Sequence, residues 1–101
     1  MPKIFEYMGI MIFFYSNEHE PIHVHAKKGE FESKAEIFLI EGEIERVNIT
    51  NIKGSKPLKG NDLKDLKSFL QYYSDEIVKK WIDYFVYHKD ISFKRITKKL
   101  S

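Results

Sequence analysis

Apolar and polar positions alternate with a period of two through the first half of the chain and recur at helical spacing through the second, the change falling near residue 55. Residues 9–15 (GIMIFFY) are apolar on both parities, which predicts a strand covered on both faces. Residues 22–27 (IHVHAK) alternate strictly, with Ile22, Val24 and Ala26 on one face and His23, His25 and Lys27 on the other. Residues 30–40 alternate again, Phe31, Ala35, Ile37 and Leu39 standing opposite Glu32, Lys34 and Glu36. A two-residue turn at Lys28-Gly29 joins the two runs, since glycine tolerates positive φ. That turn predicts a register in which Lys27 faces Glu30, His25 faces Glu32 and His23 faces Lys34, polar meeting polar throughout. A second turn at Glu41–Glu43 leads to a fourth strand over residues 44–49, with Val47 and Ile49 inward and Phe38, Ile40 and Ile44 forming an outer apolar patch.

Residues 51–60 hold two glycines and a proline and read as the loop between sheet and helices. Asp62 and Asp65 mark a helix start, and Leu63, Leu66, Phe69, Leu70 and Tyr73 recur at helical spacing. Ser74-Asp75-Glu76 reads as a new N-cap, followed by a second apolar face of Ile77, Val78, Trp81, Ile82 and Phe85. His88, at the end of that second helix, reads as a partner for its C-terminal dipole. The expected fold is therefore α+β: an antiparallel meander of three to four strands packed on one face by two C-terminal helices. One domain spans residues 1–101, with a sheet half over 1–50, a helical half over 61–90 and a basic tail over 91–101.

Composition narrows the chemistry. With 101 residues, 43% hydrophobic and 32% charged, the chain is too apolar for disorder and too charged for a membrane protein. Its longest apolar run, residues 8–15, is too short to span a bilayer, so a cytoplasmic location with no membrane partner is expected. The absence of cysteine removes disulfides, thiolate metal sites and thiol nucleophiles together. The net charge of +2 hides a split: residues 1–50 carry 5 Lys and Arg against 9 Asp and Glu, and residues 51–101 carry 12 against 6. Lys94, Arg95, Lys98 and Lys99 crowd the tail, which suits either an edge strand or a basic arm for nucleic acid.

Three of the four histidines fall within seven residues, as His19, His23 and His25. Pro21 enforces an extended entry, and His23 and His25 share the face turned away from Ile22, Val24 and Ala26. Three readings follow. In one, His19, His23 and His25 work as acid and base on RNA, with cations nearby to meet the phosphate. In a second, His23 and His25 hold a divalent transition metal as cofactor, with Glu32 or His19 completing the set. In the third, the face is ordinary polar surface on a non-enzymatic interaction module, which would pair through an exposed edge strand with another protein or with a second copy. The enzyme readings call for His23 and His25 exposed in a concavity; the interaction reading calls for an apolar patch beside a free edge.

The stretch running through Gly9, Ile10, Phe14, Tyr15, Asn17, His19, Pro21, His23, His25, Ala26 and Gly29, with Trp81 near the end of the helical half, resembles the bacterial domain-of-unknown-function 4160 family. The resemblance carries no established activity. It implies membership of a toxin–antitoxin-type module, hence a small antitoxin-like protein partner and a role for His19, His23 and His25 in binding or cleaving nucleic acid, with Lys94, Arg95, Lys98 and Lys99 assisting. Two departures stand out: Ile22 where many relatives place a second proline, and a basic tail beyond Trp81.

Overall fold

The computed structural model describes residues 2–15 and 21–100. Six strands form one sheet: β1 (Lys3–Tyr7), β2 (Ile10–Phe13), β3 (Ile22–Lys28), β4 (Phe31–Ile40), β5 (Glu43–Asn51) and β6 (Lys94–Ile96). Among the described residues there is a single helix, α1 (Gly60–Phe85), between β5 and β6 in the chain. The spatial order is β5-β4-β3-β2-β1-β6. All neighbours are antiparallel except β6, which runs parallel to β1. The expected meander with two helices is thus corrected to a six-stranded mixed sheet with one helix.

Each departure has a local cause. The strand expected over residues 9–15 is present as β2, but it is the second arm of an unexpected hairpin: Met8 and Gly9 have φ of 50° and 80°, the paired positive values of a tight turn between β1 and β2. Ile4 is an extra residue in the β1–β2 ladder, which places both Ile4 and Phe5 at zero exposure. Gly9 is constrained on two counts, because a Cβ there would also stand 3.2 Å from Cε of Lys28. Gly9→Ala is therefore expected to cost about 1–2 kcal/mol, read by chemical denaturation.

The hairpin between β3 and β4 turns at Gly29-Glu30, two residues out of the expected register: Lys28 pairs with Phe31, His25 with Lys34 and His23 with Glu36. A slip of two keeps every side chain on its face, so polar-to-polar matching holds in both registers. Gly29, at φ 62°, takes the first loop position. Lys28 joins the strand instead, and its ammonium reaches Asp62 in the first turn of α1 at 2.9 Å. In β5 the ladder passes from Phe38–Arg46 to Leu39–Ile44, leaving Glu45 as the bulged residue. That bulge moves Ile44 onto the core side with Leu39, Val47 and Ile49, while Arg46 stacks 4.2 Å over the Phe38 ring. The expected Phe38, Ile40 and Ile44 patch does not form.

Nor does Ser74 start a second helix. It is buried in mid-helix and its hydroxyl donates to the carbonyl of Leu70 at 2.5 Å. The buried stripe Leu66, Phe69, Leu70, Ser74, Ile77 and Trp81 runs through it unbroken. The stripe packs on Phe5, Tyr7, Ile12, Val24, Ala26, Ala35 and Ile37, closing the core on one face of the sheet. On the solvent side, Lys79 donates to Asp83 and holds its carboxyl below the ordinary value. His88 lies past the end of α1 at φ 55°, and the last turn carries no basic residue, so the expected dipole partnership is not made.

Candidate functional site

The opposite face of the sheet carries the histidines. Because Ile22, Val24 and Ala26 enter the core, strand alternation turns His23 and His25 to the far side. The ladder lines up Lys3, Phe13, His25, Lys34 and Thr50 in one row across five strands, and Arg95, Glu6, Met11, Lys27 and Glu32 in the next. The exposure that the enzyme readings call for is not met: His23 and His25 are buried, only 7% and 6% exposed, and Glu32 8%. The Phe13 ring stacks on His25 with centroids 5.5 Å apart, and Tyr15 stands edge-on to His25 at 4.3 Å. Trp81, although part of the core on the helix side, also comes within 5.2 Å of His23, and the two imidazoles are 5.4 Å apart.

The polar contacts lie on the Nδ1 side of each ring. Nδ1 of His23 lies 2.7 Å from the carbonyl oxygen of Pro21. A carbonyl only accepts, so Nδ1 of His23 carries a hydrogen. Nδ1 of His25 faces Oε2 of Glu32 at 3.3 Å, and the same oxygen accepts from the Tyr15 hydroxyl at 3.3 Å. Glu32 and Pro21 act from behind, setting ring orientation.

Of the residues singled out from the sequence, His23, His25 and Glu32 come together, and His19 lies outside the described residues. Glu32 stands on the Nδ1 side of His25. Among the described residues no three His, Asp or Glu side chains gather closely enough to hold a metal ion. The four tail cations do not converge on the histidines. Lys94 and Arg95 sit on β6, three strands from β3, or about 14 Å at ordinary strand spacing. Arg95 shares the histidine face, where it pairs with Glu6 at 3.2 Å, while Lys94 lies 5.6 Å over the Tyr73 ring on the helix side. Lys98 and Lys99 are exposed beyond the strand. Sequence reasoning missed Phe13, Tyr15 and Trp81 as walls of the site. For Phe13 and Tyr15 the signal was present, because they continue the parity of Met11, the row neighbour of Lys27.

A family model, described as a domain of unknown function (DUF4160), matches residues 9–82. The chain belongs to the DUF4160 family. No curated protein and no solved structure matches it. The DUF4160 match contains the whole His23, His25, Glu32 and Tyr15 constellation together with Trp81, and it stops before β6. The site therefore belongs to the DUF4160 part of the chain, and the basic tail lies outside it.

Proposed function

We propose that this DUF4160 protein acts on RNA, with His23 and His25 as an acid–base pair. The observation that carries the reading is the pairing of two imidazoles 5.4 Å apart, one with Nδ1 2.7 Å from the Pro21 carbonyl and the other with Nδ1 3.3 Å from the Glu32 carboxylate. Transfer of a phosphodiester to its own 2′-hydroxyl needs two such groups. His23 takes the 2′-hydroxyl proton as the oxygen attacks phosphorus. The bond from phosphorus to the 5′-oxygen breaks, and His25, which enters the step as the imidazolium beside the Glu32 carboxylate, gives its proton to that oxygen. A 2′,3′-cyclic phosphate and a 5′-hydroxyl result. Lys34, beside His25 in the ladder, and Lys3, in the same row, supply cations for the phosphate. Tyr15 is 37% exposed beside His25 and offers a face on which a base can stack.

The direct test is incubation of the purified chain with single-stranded RNA in excess chelator. Cleavage to cyclic-phosphate ends supports the reading; intact RNA together with no binding at low salt overturns it. Binding is expected to weaken steeply as salt rises, because Lys and Arg displace counterions from the backbone. Tyr15→Ala is expected to weaken binding by roughly 10- to 100-fold, the value of one stacked base, measured by fluorescence anisotropy.

A second reading rests on the same contacts. Metal-binding histidines also have one ring nitrogen set against a carbonyl or carboxylate. Near-stoichiometric transition metal in the wild-type protein, lost in a His23→Ala/His25→Ala variant, would favour it over acid–base chemistry.

A further inference from the structure

The two edges of the sheet are built differently. β6 is three residues long and presents Lys94 and Arg95, which discourages further pairing. β5 is nine residues long and is the outermost strand on the other side. Its first half is blunted by the bulge at Glu45 and by the charges of Glu43, Glu45 and Arg46. From Val47 to Asn51 it carries no charge and no bulge. The core side of this segment is not fully covered by α1. Val47, Ile49, Lys67 and Leu70 line a cleft of about 210 Å³, which adjoins one of about 580 Å³ reaching Ile44, Ser74 and Asp75.

We propose that β5 pairs antiparallel with β5 of a second copy of this chain, on a two-fold axis passing through Asn48. In that register Val47 meets Ile49 of the partner subunit on the core side, and Arg46 meets Thr50 of the partner subunit on the other. Apolar meets apolar, and no like charges are opposed. Moving the axis to Ile49 loses this match, because it sets Val47 against Asn51. The contact is self-complementary and closes at two copies, joining both sheets with their helices on the same side. Pairing of β5 with the basic β6 edge would instead propagate without closing.

The absence of cysteine from the chain allows a register-specific test. Asn48 is exposed, so Asn48→Cys leaves the core untouched. On the axis the two introduced thiols face each other at a Cα separation of about 4.5–5.5 Å, within disulfide range. Arg46→Cys is the control, because its two copies lie four residues apart along the paired strands, about 13 Å. The expected result is a mass of about 24 kDa in light scattering, twice that of the 12.1 kDa chain, as a closed dimer requires. Mild oxidation should then convert most Asn48→Cys protein, and little Arg46→Cys protein, to covalent dimer. A monomer at about 100 μM protein, weaker than that class of affinity, overturns the proposal. So does equal cross-linking of the two variants, or growth of large assemblies in place of dimers.

Discussion

His25→Gln is expected to reduce RNA cleavage by roughly 100- to 10,000-fold, the usual contribution of one positioned acid or base, with little change in RNA binding. Glutamine nearly fills the space between Phe13 and Tyr15 but cannot deliver a proton at neutral pH. Unchanged far-UV circular dichroism would show that the fold survives. Glu32→Gln separates positioning from chemistry. It keeps an oxygen for the Tyr15 hydroxyl yet removes the negative charge 3.3 Å from Nδ1 of His25. Its effect should appear in kcat and not in KM, since Glu32 stabilises the charged imidazole of the reacting state and does not hold RNA. A variant of His25 that cleaves as fast as wild type would remove the imidazole from the mechanism, whatever the protein binds.

How much of this was legible in the sequence depends on which physical signal each element uses. Strand parity gave the core face of β3 and β4, because Ile22, Val24, Ala35 and Ile37 leave no other burial pattern. Parity also put His23 and His25 on the opposite face. It could not give the register, since a slip of two residues leaves parity intact, so Glu32 was read as facing His25 when it lies diagonally and opposes Lys27. β1 was hidden because Met8 and Gly9 sit inside an apolar run, and only backbone conformation marks them as a turn. Ser74 misled for a related reason: a residue that caps helices can also donate to a carbonyl one turn back, and the continuity of the apolar stripe decides between them.

The charge split between the halves of the sequence acquires a spatial meaning in the fold. Glu41, Glu43 and Glu45 cluster at one end of β5, whereas Lys94, Arg95, Lys98 and Lys99 belong to the opposite side of the sheet. The histidine site lies between these extremes, on β3. Its nearest cations in the ladder, Lys34 and Lys27, come from the acidic half of the sequence. A phosphate contact at the site therefore depends on individual residues and not on the overall charge of the tail. Neutralising Lys34 should weaken RNA binding more than neutralising Lys98.

Phe69→Ala is expected to destabilise the protein by about 3–5 kcal/mol, the range for emptying a fully buried aromatic site. Phe69 has zero exposure and joins the layers of the fold. Its ring lies 5.2 Å from Phe5 and 6.0 Å from Tyr7 on β1, and 5.1 Å from Tyr73 one turn along α1. Truncation removes the ring that fastens the helix to β1. The surrounding aromatics are too stiff to refill the space, so the cavity cost adds to the lost burial. For a domain of this length the loss should lower Tm by roughly 12 °C or more, followed by circular dichroism. Lys64→Ala, an exposed position on the same helix, should change stability by no more than about 0.5 kcal/mol. Total stabilities of single domains are only about 5–15 kcal/mol, so Phe69→Ala would leave a large unfolded fraction at physiological temperature. The histidine site is built on β2, β3 and β4, and β2 depends on β1 for its second hydrogen-bonding neighbour. Loss of the Phe69 contact should therefore reduce RNA cleavage in proportion to the unfolded fraction, with the activity of the folded fraction unchanged.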